Sequence, residues 1–237
     1  GDCQSWFGDL GSLYHNVSTF LEDVGIPDGE GRRLAALTIC KRVASFIGAE
    51  ESETGIVLCS TFKPENEPIE ASSWHVDGNF DPAKVETDEL EKKAVSTVFG
   101  EGTDTYADPL VDRDLLVEYT ETITASFHRK SELDELKNTK GLNSKEELEL
   151  ESIEMAVQDV ESRFLASIDT ESVEQVGAGD VLVILSGDPR HGALHRVPEI
   201  TKDRLFLQIY ALSSESTAEV MWMDQMRRVG EVFRAAT

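Results

Sequence analysis

The sequence predicts an α+β protein, with a β core in two pieces, helices at both ends and a helical block inserted between the pieces. Three observations carry this. Short apolar runs bounded by turn formers cluster over 55–110 and again over 176–212. Between them, over 113–172, Glu, Lys, Leu and Ser dominate, with apolar residues at helical spacing. The flanking segments 1–50 and 213–237 also carry apolar residues three and four apart. All of 1–237 is read as one domain, which 237 residues allow.

In chain order, Trp6, Leu10, Leu13, Tyr14, Val17, Phe20 and Leu21 mark an amphipathic helix over 4–24, closed by Gly25 and Pro27. Leu34, Leu37, Cys40, Val43 and Ile47 repeat the pattern over 30–47, and Gly48 stops it. Two helices therefore precede the first strand. Gly55–Phe62 is a short buried strand, and Lys63–Pro68 is a loop with two prolines. Ala71–Asp77 is a strand that delivers Trp74-His75-Val76-Asp77, and 81–93 is an acidic loop or short helix. Ala94–Phe99 is a strand, Gly100-Glu101-Gly102 a turn, and Thr103–Ala107 the returning strand.

In the helical block, Ser144 reads as an N-cap. Leu148, Ile153, Met155, Val157, Val160, Phe164 and Leu165 supply its apolar stripe, and Lys137–Asn143 is the expected mobile loop. Gly179–Leu212 holds three strands, the second carrying His195 and the third opened by Arg204. Ser213–Thr237 is helical by pattern, and its methionines read as packing residues.

Charge narrows the function. Forty-six acidic residues against 22 basic ones give a net charge of −24. Such a surface repels phosphate backbones, so a general nucleic-acid binder is excluded and the charge serves solubility. No run reaches the roughly 18 apolar residues of a membrane span. Cys3, Cys40 and Cys59 are odd in number and lack metal spacing. Cys40 and Cys59 sit in apolar runs and read as reduced core residues, which points to a cytoplasmic, reducing compartment. The start at Gly1 rather than Met reads as a processed or cloning-derived end. Asn16-Val17-Ser18 matches a glycosylation acceptor, which has meaning only in a secretory context.

The chemistry lies in four residues. In a strand, residues i and i+2 share a side, so His75 and Asp77 converge while Val76 faces away. A helix would separate them by about 200°. His195, on a distant strand, supplies a third ligand. Two imidazoles and a carboxylate on one face, with the other face open, suit a mononuclear iron centre for oxygen chemistry. Each residue also has a plainer reading. His75 would be a hydrogen-bonded histidine beside Trp74, Asp77 a turn former before Gly78, and His195 structural. Arg204 would be the partner of Asp203 or another acid. Their order and their strand placement favour the triad.

His191, four residues before His195, is the main rival ligand, but it lies in the turn Asp188-Pro189-Arg190-His191-Gly192 and reads as a loop residue near the site, and Arg196 should point away from the metal. Trp74, Thr97, Tyr106 and Gln208 are candidate pocket residues, with packing the simpler role for Trp74. There is no G-x-S-x-G elbow, P-loop or G-x-G-x-x-G. Acidic pairs such as Glu146-Glu147 read as a solvated helix face.

The pattern H-V-D, then G-D-V-L-V, H-R-V-P and R-L-F-L, resembles the iron(II)- and 2-oxoglutarate-dependent oxygenase superfamily over 55–110 and 176–212. That resemblance implies a double-stranded β-helix core, also called a jelly roll and shared with cupins. It implies His75, Asp77 and His195 as Fe(II) ligands and Arg204, nine residues after His195, as the anchor for the distal carboxylate of 2-oxoglutarate. Phe206 stands where the family often has Ser or Thr. The implied activity is oxidation, by default hydroxylation, of a C–H bond in a small molecule, peptide or side chain. A carboxylate at Asp77 argues against a halogenase, which lacks that ligand. Two alternatives remain: a cupin-like metal-binding module, and a metalloenzyme of the same fold in which Arg204 serves the substrate without 2-oxoglutarate. The primary substrate and the oligomeric state have no sequence signal.

Overall fold

A computed structural model describes residues 2–8, 10–23, 30–47, 54–61, 68–78 and 91–211. The chain divides into two compact units, residues 1–105 with 174–237, and residues 106–173. The structure is mixed α+β with two sheets. The expected helix over 213–237 and the acidic stretch 81–90 lie outside the described residues.

In the first unit, strand β1 (Asp2–Gly8) is followed by helices α1 (Leu10–Asp23) and α2 (Glu30–Ile47) and strand β2 (Thr54–Thr61). The sequence places Trp6 on a helix; it lies on β1 instead. β1 pairs antiparallel with β2 along its whole length, and that pairing outweighs the local helical spacing. β3 (Glu91–Phe99), β6 (Val181–Ser186) and β8 (Arg204–Ala211) complete a five-stranded sheet in the order β1-β2-β8-β3-β6. β4 (Asp104–Tyr106), β5 (Val173–Gln175) and β7 (His195–Arg196) form a three-stranded sheet in the order β5-β4-β7.

Alternation along the strands gives the large sheet two different faces. One face presents Ala94, Leu205, Leu207 and Ile209 to Val17, Phe20, Leu21, Cys40, Val43, Ala44 and Ile47 of the two helices. Leu34, expected in the α2 stripe, is exposed, while Cys40, Val43 and Ile47 of that stripe are buried. The opposite face carries Lys93, Val95 and Thr97 of β3, registered against Tyr210, Gln208 and Phe206 of β8. Val95, Phe206 and Ile184 make a small apolar cluster there. We call this the inner face.

Cys40 is a buried free thiol, and burial pushes it up to about 12. Cys59 is disulfide-bonded, which overturns its reading as a reduced thiol. Cys3 stands directly opposite Cys59 across the β1–β2 ladder. A sequence reading that puts residues 4–24 in a helix has no reason to bring those positions together. The inference of a reducing compartment, drawn from unpaired cysteines, loses its basis. No helix among the described residues is long and apolar enough to cross a membrane.

The second unit is built on two helices, α3 (Arg113–Thr139) and α4 (Ser144–Ser167). The buried positions of α4 are Leu150, Val160 and Phe164, while Leu148, Met155 and Leu165 of the expected stripe are exposed. Phe164 stacks on Tyr119 of α3 with ring centroids 4.8 Å apart. α3 runs to Thr139, so the connection is shorter than expected. Asn143, not Ser144, caps α4, and its side chain accepts from Lys145 N and Glu146 N while Glu146 returns a bond to the Asn143 N–H. The Asn143 amide acts from just outside the first turn, where its oxygen meets the free N–H groups.

Candidate metal centre

Residues 68–78 run extended. Reciprocal backbone bonds of 3.0 Å join His75 to His195 as an isolated antiparallel bridge, and a second bridge joins Ile69 to Ile200. Residues directly opposite in such a bridge turn their side chains to the same side. The two rings accordingly lie with centroids 4.5 Å apart. Asp77, two residues on, returns to that side, and its carbonyl accepts from Gly187 N at 2.8 Å.

Val76 turns away and packs on Gly192, where any Cβ would lie 2.0 Å from Val76 Cγ1. A glycine is therefore required in the turn before His195. Trp74 also turns away; it is buried, and the Arg196 guanidinium lies 4.7 Å over its ring. Arg196 also donates to Asp104 at 3.0 Å. Arg196 thus faces away from the His195 ring, as the sequence predicts.

Donor atoms of His75, Asp77 and His195 all lie within 4.8 Å of one another. His75 Nδ1 is 2.9 Å from the Ser73 carbonyl, and His195 Nδ1 is 2.9 Å from the Ala193 carbonyl. A carbonyl only accepts, so both rings donate from Nδ1, which leaves Nε2 as the atom each neutral ring can offer a metal. Fixing the second nitrogen in this way is how metal-bound histidines are oriented. His195 Nε2 faces Asp77 Oδ2 at 3.0 Å, and His75 Nε2 lies 3.9 Å from Asp77 Oδ1. The two Nε2 atoms and the Asp77 carboxylate thus converge on one point, with the Lys93 ammonium against Asp77 Oδ2. The three residues fit a metal.

The local electrostatics agree. Burial raises the Asp77 carboxyl, but Lys93 first, then His195 and His75, outweigh it and hold the group well below the usual carboxylate range. Loss of hydration, and then the charge that His195 can carry, push His75 down to about 4 against the pull of Asp77. Both groups are therefore in the form that binds a metal at neutral pH.

Arg204 is buried on the inner face. Its Nε donates to the Glu101 carbonyl at 2.8 Å, one Nη lies 3.4 Å from Thr97 Oγ1, and the guanidinium stacks 4.3 Å over the Phe206 ring. Among the described residues no carboxylate forms an ion pair with it. Burial lowers it to about 10, partly offset by Glu101 and Asp104 at longer range. Gly100, at φ +96°, makes the turn that brings the Glu101 carbonyl to it, and a Cβ there would lie 2.7 Å from Asp203 O.

The other expected residues separate. Thr97 and Gln208 lie on the inner face, Thr97 beside Arg204 and Gln208 accepting from the Tyr210 hydroxyl. Thr105 of β4 is paired with His195, and Tyr106 is the next residue along the strand. Its hydroxyl accepts from Asp169 N within the helical unit. His191 is exposed and lies 3.2 Å from Asp188 Oδ1 in its turn, outside the triad.

Sequence reasoning missed Lys93. It lies in the stretch read as loop or short helix, yet it is buried on β3 with its ammonium ion-paired to Asp77 Oδ2. The signal was period two: Lys93, Val95 and Thr97 alternate with Lys92, Ala94 and Ser96. Comparison of the chain with protein-family models, curated proteins and solved structures finds no match.

Proposed function

We propose that the protein is a non-haem iron(II)- and 2-oxoglutarate-dependent oxygenase with a jelly-roll core. One observation carries the reading most: both imidazoles are locked by Nδ1 so that their Nε2 atoms converge with the Asp77 carboxylate. A buried guanidinium on the inner face without a carboxylate partner adds to it. His75, Asp77 and His195 would hold the metal, and Arg204 would take the distal carboxylate of 2-oxoglutarate through its planar edge. Thr97 stands beside that edge to position the anion. Val95, Ile184 and Phe206 keep water from the inner face. Bound iron would supply the activation of oxygen, coupled to decarboxylation of 2-oxoglutarate, for oxidation of a C–H bond, most simply hydroxylation. The substrate class is a small molecule, peptide or side chain. The cytoplasmic expectation rested on reduced cysteines, and a disulfide at Cys59 removes that support.

Anaerobic addition of Fe(II) and then 2-oxoglutarate tests the reading through the weak visible charge-transfer band of the chelate. The band should appear with the natural chain and vanish in Asp77→Ala. In Arg204→Ala it should need about ten- to a hundredfold more 2-oxoglutarate, the loss expected for a charge-assisted contact. Metal binding without a band would favour the metalloenzyme that does not use 2-oxoglutarate, and no metal binding would favour the binding module.

A further inference from the structure

Lys93 is the one member of the cluster that a metal ligand set does not require. Its side chain is 5 % exposed and is flanked on the ladders by Ile184 and Tyr210, and among the described residues its ion-pair partner is Asp77. With both imidazoles neutral, as metal ligation requires, one carboxylate and one ammonium sum to zero charge. A divalent cation among the two Nε2 atoms and Asp77 would add two positive charges beside an ammonium that has no other counter-ion there. In buried surroundings that repulsion is weakly screened. A dianionic chelator bound with the metal restores neutrality. Ser186, fully buried and with no hydrogen-bond partner for its hydroxyl among the described residues, lies one ladder step diagonal to Lys93 on the same face and offers a donor to such an anion.

We propose that Lys93 couples metal binding to anion binding, so that the metal is held weakly alone and tightly together with a dianionic chelator. The proposal rests on the His75–Asp77–His195 centre holding a metal. A role confined to positioning Asp77 has the opposite sign, because losing it would weaken the binding of metal alone.

The test is calorimetric titration of the full chain with Mn(II), with and without oxalate, corrected for the manganese–oxalate complex in solution. Oxalate chelates without a distal carboxylate. It therefore does not report on Arg204, whose proposed role is to take that distal carboxylate. In Lys93→Met, Mn(II) alone should bind about tenfold tighter and the gain from oxalate should shrink by about tenfold, within the ordinary range of coupling between sites. Lys93→Arg keeps the charge and should behave as the natural chain. Lys93→Gln removes the charge with a polar group in place and repeats the measurement where methionine is not tolerated. Mn(II) binding that is unchanged or weaker in both uncharged variants, or an undiminished gain from oxalate, overturns the coupling. Absence of Mn(II) binding to the natural chain both with and without oxalate overturns the metal centre, and the coupling with it.

Discussion

The two units place their charges differently. In the helical unit, Arg129 grips Glu149 through Nε and Nη2, Lys130 reaches Glu154, and Arg163 pairs with Glu118. These pairs link α3 to α4 at solvent-exposed or half-exposed positions, where ion pairs add little stability and mainly favour one register. In the sheet unit, Asp77, Lys93, Asp104 and Arg204 are all buried. Charge taken out of water is costly unless it is paired or used. Asp104 is paired, with Arg196 at 3.0 Å and Gln175 at 3.2 Å. Among the described residues Arg204 pairs with no carboxylate, and Asp77 has Lys93 on one side and the two imidazole Nε2 atoms on the other. The difference separates buried charge that holds the fold from buried charge that the proposed function assigns to a ligand.

The largest expected effect breaks that distinction at its functional end. His195→Ala or His75→Ala removes one of three ligands, and bound Fe(II) should fall from about one per chain to background by metal analysis after desalting. Unchanged iron in both variants would put the metal elsewhere. The structural end should respond in the opposite way. Asp104→Ala leaves the half-buried Arg196 without its acid, and unfolding in urea should show a loss of about 2 kcal/mol, as for a lost hydrogen bond to a charged group. Metal stoichiometry at low temperature should be retained. A variant of full stability that has lost its metal would move Asp104 into the site and erase the contrast.

How far the sequence could be read follows the same division. His75, Asp77 and His195 were legible because strand alternation is local: it decides which side of a strand a residue faces without knowing what lies opposite. The same rule separated Val76 and Arg196 from the ligands. Trp6 was misplaced because spacing of three and four is compatible with a helix, while its strand is fixed by β2, some fifty residues on. Cys59 was misread for the same reason, since its opposite number lies on that strand. Lys93 was hidden by chemistry: a lysine in an acidic stretch reads as solvated until Asp77, on a separate segment, is brought to it. Tyr106 shows a further limit, because only the fold brings Asp169 N to its hydroxyl.

The smallest expected effect lies in the helical unit and tests whether its polar contacts are purely local. Asn143 Oδ1 accepts from Lys145 N at 3.0 Å and Glu146 N at 3.1 Å, satisfying donors that the first turn of α4 leaves free. Asn143→Ala should cost about 1 kcal/mol in chemical unfolding, and Asn143→Ser should recover most of it. Ser144→Ala, at the position the sequence alone favours for the cap, should change stability by less than about 0.5 kcal/mol because that side chain is not the cap. Metal affinity should not move in any of the three. If Ser144→Ala proved the costlier change, the cap would be one residue later. If Asn143→Ala altered metal affinity, the helical unit would no longer be a local structure, and the contrast between surface charges that set register and buried charges that the proposed function assigns to a ligand would have to be redrawn to include it.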